Sequence, residues 1–392
     1  MSRNPLISVL SAVLLLVIGI TASNTVAAGG QQESMYVMIE LNTAFSPEMT
    51  LKGKSEIDEQ RRGIRESGDR VIRDLDGHQF EVTADLETVP YLGLKVTKDG
   101  YDALERSQDV IRIVEEIRHY PTLNNTIPMI QADLALSLGG VNGAGFSVAI
   151  LDSGVASGHE FLTGKVVAEG CFTDFNCPNG LSVQTGPGAG APCTQTGCDH
   201  GTHVAGIAAG FNTSPQAGEP RRGTASGASI VAVQIFSADE ISGDIFTMPH
   251  NYIKALEFVY LLNLTPEFNV ASLNMSFSGG RFLSPCDLEP AKPIIDNLRL
   301  TGVAAVGSTG NDGFKNSMGS PACISTVVSV GSVDTSDNVA ASSNSALFLN
   351  ILAPGVSVNS SVTGGAYGTK SGTSMAAPRV AGAFAVLREN DP

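Results

Sequence analysis

Four polar residues that could together carry out one reaction lie at the ends of short apolar runs of the sequence. Asp152 ends the run SVAILD, His200 begins HGTHVAG, Asn311 follows VAAVGSTG, and Ser374 lies in SGTSMAAPRVAGAF. Each has an ordinary structural explanation when taken alone, because Asp before a Ser-Gly pair commonly caps a turn. Together they supply an acid, a base, a carboxamide donor and a hydroxyl, which is the set that nucleophilic acyl transfer requires.

The residue types determine how such a set would work. A serine hydroxyl becomes a good nucleophile when a base takes its proton, and a histidine is a reliable base when an acid fixes its tautomer. Pro378 is tolerated only in the first turn of the Ala-rich helix predicted after Ser374, so Ser374 is expected near the N-terminus of that helix. There the Ser374 N–H and the Asn311 carboxamide can stabilise an oxyanion. His203, three residues after His200, is expected to be structural.

Alternating strands and helices must position these residues. Apolar runs predict buried strands, and helical patterns fall between them. The strands are predicted at 147–151, 230–235, 270–275, 303–306 and 327–330, and the helices at 202–209, 250–262, 290–300 and 375–387. This alternation predicts an α/β fold with a doubly wound, mainly parallel sheet covered on both faces. Active sites of such sheets lie at the carboxyl ends of the strands.

The segment before this sheet has a different pattern. Strands are predicted at 35–41, 80–86, 91–96 and 110–117, and helices at 54–75 and 98–106. The order βαββαβ predicts a small α+β, ferredoxin-like domain, a compact antiparallel sheet with two helices on one face. Nothing in this segment has the residues of a catalytic site.

The first 28 residues have the layout of a secretory signal peptide. Arg3 precedes an apolar run from Leu6 to about Ile20, and small residues precede Gly29, so cleavage is expected near Ala28. The alternative is an uncleaved membrane anchor, since the run approaches spanning length. We favour the signal peptide and a secreted protein, extracellular or periplasmic, because nothing later resembles a membrane span. Export oxidises cysteines, and the six present allow 15 pairings by count alone.

Composition excludes several classes of protein. The 392 residues are 42% hydrophobic and 16% charged, which is too apolar for a disordered chain. The net charge of −15 argues against a nucleic-acid partner, which would need a basic surface. We expect a monomer that, once the leader is removed, has no membrane partner.

The motifs VAILDSG, HGTHVAGIAAG, GSTGNDG and SGTSMAAPRVAG resemble those of the subtilisin-like serine proteases (subtilases, peptidase S8), in that family's order Asp, His, Ser. The resemblance covers about residues 125–392. It implies a serine endopeptidase acting on polypeptides through an acyl-enzyme on Ser374, without a cofactor. His200 would be the general base and acid, Asp152 its orienting partner, and Asn311 the oxyanion donor.

The βαββαβ segment resembles the inhibitory propeptide of that family (I9-like). The resemblance implies a zymogen with a propeptide at 29–122, an intramolecular inhibitor, and a catalytic domain at 123–392. The propeptide tail, residues 117–125, would lie across the active site, and self-cleavage is expected between about His119 and Ile127. Few residues follow Ser374 compared with the family, so the catalytic domain is expected to be C-terminally incomplete.

Two features between Asp152 and His200 depart from the family's compact members. The segment is long, and it holds four of the cysteines: Cys171, Cys177, Cys193 and Cys198. One interpretation is a metal site formed by Cys193, Cys198, His200 and His203; the other is two small disulfide loops. We expect disulfides, because His200 is needed as a base and thiols oxidise outside the cell. Cys286 and Cys323 would then bridge two segments that resemble the walls of the primary specificity pocket.

The stretch Ser276–Gly279 resembles the edge strand that pairs with an extended substrate. Phe277 is a pocket aromatic or a core residue, and Ser278 replaces a Gly common in relatives, which would narrow the pocket. Calcium is common in the family, but its usual first carboxylate is Phe161 here, with Glu160 beside it. That calcium site is therefore not matched, while structural calcium elsewhere stays open.

Two functions of other classes compete with the peptidase. A catalytically silent relative could act as a binding or chaperone-like module, which is disfavoured because all four catalytic positions are filled. An esterase of the α/β-hydrolase kind is disfavoured because the chain has no G-x-S-x-G elbow.

Overall fold

The computed structural model describes residues 34–118, 120–121, 140–239 and 242–391, and two main sheets organise this part of the chain. The expected signal peptide and most of the expected self-cleavage segment lie outside the described residues. Among the described helices, none has the length and apolar content needed to cross a bilayer.

The N-terminal unit, residues 34–118, is a four-stranded antiparallel sheet with two helices. Its elements are β1 (Ser34–Leu41), α1 (Lys54–Asp74), β2 (Phe80–Asp85), β3 (Tyr91–Thr97), α2 (Lys98–Leu104) and β4 (Val110–Glu115). The strand order is β2-β3-β1-β4, as the βαββαβ pattern predicts. Side chains of alternate parity point to opposite faces of a strand. Val37 and Ile39 pack with Ile64 of α1, whereas Met38 joins the core shared with the rest of the chain.

The remaining strands follow in chain order. They are β5 (Tyr120–Pro121), β6 (Ser147–Asp152), β7 (Val166–Phe172), β8 (Val183–Thr185), β9 (Ser229–Gln234), β10 (Ser237–Ala238), β11 (Ile245–Phe246), β12 (Val270–Met275), β13 (Phe277–Phe282), β14 (Ala304–Ser308), β15 (Met318–Ser320), β16 (Val328–Val333), β17 (Ile351–Pro354), β18 (Val358–Ser361) and β19 (Tyr367–Lys370). The helices are α3 (His200–Ala209), α4 (Pro249–Asn263), α5 (Lys292–Leu300) and α6 (Thr373–Asn390).

The large sheet has the strand order β17-β16-β14-β12-β6-β9-β7-β8 and is parallel except for β8, which runs antiparallel to β7. This confirms the doubly wound α/β prediction. The sequence did not indicate β7, because Glu169 and Gly170 interrupt its apolar pattern, nor the short edge strands β8 and β17, of three and four residues.

Helices cover both faces of this sheet. Leu151 and Val233 point toward α4 and α5, with Leu256 and Ile294 in the same core cluster. The alternate residues Val148, Ile150 and Ile230 belong to a second cluster with α3 and α6. Strands buried on both faces explain the unbroken apolar runs from which they were predicted.

Three disulfides join the six cysteines: Cys171–Cys177, Cys193–Cys198 and Cys286–Cys323. These are the bridges that the sequence predicted. The alternative metal site would need the thiolates of Cys193 and Cys198, which this pairing consumes.

Candidate active site

Asp152 and His200 form a buried pair at the carboxyl end of β6. The Asp152 Oδ1 atom lies 2.7 Å from His200 Nδ1, and neither side chain is exposed. Asp152 Oδ1 also accepts a hydrogen bond of 2.7 Å from the Ser153 N–H. A carboxylate at Nδ1 holds the proton there, so His200 Nε2 is left to act as an acceptor. Nε2 is buried and has no hydrogen-bond partner among the described residues.

Close backbone approach allows this pair to form. A Cβ atom at Gly201 would lie 2.4 Å from the Gly154 carbonyl oxygen, so only glycine lets the start of α3 come this near to the end of β6. Ser153 Oγ ties the same segments together, since it accepts from the Gly201 N–H at 2.9 Å and donates to the Cys198 carbonyl at 3.1 Å.

Ser374 is the second residue of α6, and its side chain is buried. Its Oγ donates to the Ser276 carbonyl at 2.9 Å, while Ser276 Oγ donates to the Ser374 carbonyl at 2.9 Å. Asn274 Nδ2 in turn donates to Ser276 Oγ at 2.8 Å. The hydroxyl is therefore held at the carboxyl end of β12.

Strand register places the Ser374 hydroxyl at the level of the Asp152–His200 pair. β12 and β6 are parallel neighbours with Met275 opposite Leu151, so Ser276 follows at the level of Asp152. Adjacent strands lie about 4.8 Å apart. The helices that carry His200 and Ser374 also share one core, in which Val204 packs with Met375.

Asn311 follows β14, the next strand on the other side of β12. Its Oδ1 accepts from the Thr373 N–H at 3.0 Å and the Thr373 hydroxyl at 3.1 Å. These two donors fix the carboxamide so that Nδ2 is its free end. Nδ2 is buried and has no partner among the described residues, so it is a donor available to a ligand.

His203 has an environment unlike that of His200. Its Nε2 donates to the carbonyls of Val358 and Gly368, both at 3.0 Å, and pins the β18–β19 hairpin to α3. Burial, with a smaller contribution from the neighbouring His200, lowers the pKa of His203 to about 3. His203 is therefore neutral and has a structural role, as the sequence predicts.

The four residues 276–279 have different placements. Ser276 contacts Ser374, and the Phe277 side chain is fully buried against Phe236 and Tyr252, with ring centroids 6.2 and 5.3 Å away. Phe277 is thus a core residue, the second of its two possibilities, and presents only its backbone to the groove. That backbone pairs antiparallel with β5, with Phe277 opposite Pro121 and Ser278 opposite Tyr120.

Gly279 of β13 pairs antiparallel with Ser320 of β15. A Cβ atom at Gly319 would lie 1.9 Å from Ser278 Oγ, and one at Gly310 would lie 3.0 Å from it, so the Ser278 hydroxyl lies against both glycines. The Cys286–Cys323 disulfide joins the segments that follow β13 and β15, and the Cys286 N–H donates to the Cys323 carbonyl at 3.0 Å.

The residues at the expected calcium position do not fit a calcium ion. Phe161 is a buried core residue, and the Glu160 carboxylate accepts from Tyr367 OH at 2.9 Å and Asn212 Nδ2 at 3.4 Å. Calcium takes six to eight oxygen ligands. Among the described residues, no three His, Cys, Asp or Glu side chains are grouped to hold a metal.

Sequence reasoning missed three residues that shape the site: Ser153, Asn274 and Thr373. Ser153 and Thr373 adjoin predicted residues inside their motifs, so adjacency was the available signal. Asn274 is a polar residue inside the otherwise apolar strand VASLNM, and this exception to the pattern could have indicated it.

Comparison with known proteins identifies the family. A family model described as the Subtilase family matches residues 143–392, which is more than half of the chain. The chain belongs to the subtilase family. As a subtilase it is a serine-type endopeptidase, which acts on polypeptides.

Relatives of this subtilase include bacterial enzymes. It is 28% identical to an alkaline protease of Alkalihalobacillus alcalophilus, over 100% of this chain and 90% of the relative. It is 32% identical to subtilisin E of Bacillus subtilis, over 66% of this chain and 59% of the relative. A solved structure of a cold adapted subtilisin-like serine proteinase aligns with a TM-score of 0.48 and 28% identity, covering 64% of this chain and 78% of the other.

Proposed function

We propose that the protein is a secreted endopeptidase made as a self-cleaving zymogen, with Ser374 as nucleophile, His200 as general base and acid, Asp152 as its orienting partner and Asn311 as oxyanion donor. The single observation that carries the proposal is the buried Asp152–His200 pair at 2.7 Å, whose Nε2 has no hydrogen-bond partner among the described residues, at the end of the strand next to the one that holds the Ser374 hydroxyl. A base so oriented can take the serine proton.

The reaction follows from this geometry. His200 Nε2 accepts the Ser374 proton as Oγ attacks the carbonyl carbon, and Asp152 stabilises the imidazolium. The tetrahedral oxygen accepts hydrogen bonds from Asn311 Nδ2 and the Ser374 N–H. His200 then gives its proton to the leaving amine, which produces the acyl-enzyme, and water attacks the ester by the same route in reverse.

Substrates would bind by adding a strand to β13. In the structure β5 is paired there, antiparallel, next to the residue that holds Ser374. This placement supports the role of residues 29–122 as a propeptide whose tail occupies the substrate groove. Antiparallel addition provides main-chain hydrogen bonds that do not depend on the substrate's sequence.

The pairing of β5 with β13 brings the described end of the N-terminal segment to Ser374. Phe277 lies opposite Pro121, and the Ser276 carbonyl, one residue before Phe277, is the group that holds Ser374 Oγ. This supports self-cleavage within 119–127.

One experiment tests the activity. Purified processed protein is treated with a serine-directed fluorophosphonate and assayed on casein. We expect labelling together with casein hydrolysis, and loss of both in Ser374→Ala but not in Ser336→Ala, an exposed serine far from the groove. A folded wild-type protein that is not labelled would support the catalytically silent alternative, and labelling with ester but no peptide hydrolysis would support an esterase.

Processing tests the zymogen and the export. Full-length Ser374→Ala is expected to remain uncut at 119–127 and to start at Gly29 in the culture medium, whereas wild type is expected to be cut within 119–127. Normal processing of Ser374→Ala would refute self-cleavage. Retention of the uncut leader in the membrane would refute the signal peptide.

A further inference from the structure

A third histidine lies between two carboxylates where the N-terminal unit meets the large sheet. His250 is the second residue of α4. Its Nδ1 is 2.6 Å from Glu116 Oε2, directly after β4, and its Nε2 is 3.0 Å from Asp174 Oδ1, shortly after β7. The His250 backbone N–H also donates to Glu116 Oε1 at 2.6 Å. Ionised carboxylates only accept hydrogen bonds, so both ring nitrogens donate and the ring is an imidazolium.

The cluster Glu116–His250–Asp174 is shielded from solvent. The side chains of His250 and Glu116 are 3% and 0% exposed. The Tyr36 ring stacks on the His250 ring with centroids 5.6 Å apart and planes at 4°. Asn251 Nδ2 donates to Asp174 Oδ1 at 3.0 Å. A charge so buried is stable only while its partners are present.

Other charged groups surround the cluster in a cavity of about 160 Å³ between the two parts of the chain. From the N-terminal unit Tyr36, Glu81 and Lys95 line it, and from the large-sheet side Asp174 and Lys254. The Lys254 ammonium donates to the Thr83 carbonyl. The cavity has room for water, so protons can reach His250 without opening of the whole interface.

The balance of these effects favours the charged ring. Burial alone would lower the pKa of His250, but Glu116 and Asp174 outweigh it and raise the pKa to about 9. Burial opposes ionisation of Asp174, yet the hydrogen bond from His250 and that from Asn251 hold its pKa below the ordinary value. Removing Glu116 takes away the largest stabiliser of the His250 charge.

We propose that the Glu116–His250–Asp174 cluster is a latch that holds the N-terminal unit on the catalytic unit and releases it as the pH rises. The proposal rests on the proposed function of residues 29–122 as an inhibitory propeptide, and it assigns the regulation of that inhibition to one proton. When the unit leaves, Glu116 leaves with it and His250 keeps only Asp174.

The direction follows from linkage. Glu116 is the largest contribution that raises the pKa of His250, to about 9 in the assembled chain, so this pKa lies above that in the separated catalytic unit, where Asp174 alone remains. The contribution of His250 to binding is therefore complete below that lower pKa and is lost as the pH rises through about 9. One proton is involved, so affinity falls by at most about tenfold per pH unit. Burial lowers the pKa of Lys254, and loss of that proton would favour association at high pH, the opposite sign.

A second contact of the same interface provides a matched control. Arg118 Nη1 lies 2.6 Å from Asp239 Oδ2, and the guanidinium lies 4.0 Å from the Phe246 ring centroid. Arginine and aspartate keep their charges between pH 7 and 10. Weakening this pair therefore lowers affinity by the same factor at every pH in that range.

The test uses the full chain with Ser374→Ala and a recognition site for an added protease inserted within 122–139. After the nick, dissociation of the N-terminal fragment is measured from pH 7 to 10. We expect the dissociation constant to rise by up to about tenfold per pH unit below about pH 9 and to level off above it. His250→Gln and Glu116→Gln should abolish this slope, and Arg118→Gln should weaken binding and keep it.

Each outcome decides. An unchanged slope in His250→Gln, or a ¹³C NMR titration showing neutral His250 at pH 7 in the intact chain, would overturn the latch. If His250→Gln does not fold, Glu116→Gln keeps the histidine and still tests the slope. Because the added protease makes the cut, a latch without any casein hydrolysis by wild type would refute the proposed function alone, and hydrolysis without a slope would refute the latch alone.

Discussion

The strand-end site and the interface with the N-terminal unit each bury a histidine against carboxylate, and they hold it differently. His200 has one carboxylate at Nδ1 and, within the described part of the chain, no partner at Nε2, whereas His250 has a carboxylate at each nitrogen. A proton can therefore enter and leave His200 at Nε2 during a reaction. The proton on His250 is fixed until the interface changes.

His203 completes the comparison. It lies one turn from His200 but meets two carbonyls and no carboxylate, and it is neutral, with a pKa near 3 against about 9 for His250. The number of carboxylates facing each buried ring, rather than burial itself, decides its charge. Substitutions can test whether the same rule distinguishes a catalytic histidine from a structural one.

The largest expected effect separates the two histidines of α3. His200→Ala should lower kcat by about 10⁶-fold, because it removes the base proposed to take the Ser374 proton. His203→Ala should retain kcat per folded molecule and lower stability by about 1–3 kcal/mol, because the Val358 and Gly368 carbonyls lose their donor. Casein kinetics and thermal melting measure the two. Equal losses of kcat would contradict the assignment.

Changing the carboxylate tests what orients His200. Asp152→Asn should lower kcat by about 10⁴-fold at neutral pH, because an amide at Nδ1 permits the wrong tautomer. Stability should change less than in His203→Ala, since the hydrogen bond to Ser153 N–H can be kept. A kcat within tenfold of wild type in a pH–rate profile would show that Asp152 only caps its turn.

The oxyanion donor should have a smaller effect. Asn311→Ala should lower kcat by about 10²–10³-fold with little change in KM, because Nδ2 interacts only when charge develops on the oxygen. Asn316→Ala, an exposed asparagine in the same loop, is the control. A change confined to KM would mean that Asn311 binds substrate instead.

The strand-end site could be predicted and the interface could not, for a physical reason. Asp152, His200, Asn311 and Ser374 each end a strand or start a helix, and one sheet brings all such positions to one edge. Glu116 and His250 lie 134 residues apart on elements without a motif. Their meeting depends on how two different sheets pack on each other, which no local pattern encodes.

Inside the large sheet, the strands and side-chain directions that could not be predicted from the sequence have similar physical causes. Strand β7 mixes exposed and buried positions, and β8 is very short, so neither has an apolar run. The sequence could not decide whether Phe277 is a pocket or a core residue. The direction of its side chain depends on Phe236 and Tyr252, which are distant in sequence. Spacing identified the chemistry, and tertiary packing decided which side chains face the groove.

Two of the disulfides close loops of very different length, so their removal should have different costs. Replacing Cys286 and Cys323, 37 residues apart, by serine should cost about 4 kcal/mol, against about 2 kcal/mol for Cys171 and Cys177, six apart. Denaturant unfolding measures both double variants. The Cys286–Cys323 variant should also discriminate less between substrates with different residues before the scissile bond. The bridge joins the two segments that resemble the walls of the primary specificity pocket. Equal costs would mean that strain or residual structure outweighs loop length.

The smallest expected effect concerns substrate choice. The Ser278 hydroxyl fills the space between β13 and Gly319, so Ser278→Gly should open the groove at that point. The ratio of kcat/KM for a large against a small residue before the scissile bond should rise by about 10–200-fold, the range for changes of pocket size. Peptide pairs differing only there, Phe against Thr, measure it, and Ser336→Gly, at an exposed serine after β16, is the control. An unchanged ratio would place the specificity-determining wall elsewhere, although the strand-end chemistry would stand, because Ser278 is none of the four residues assigned to it.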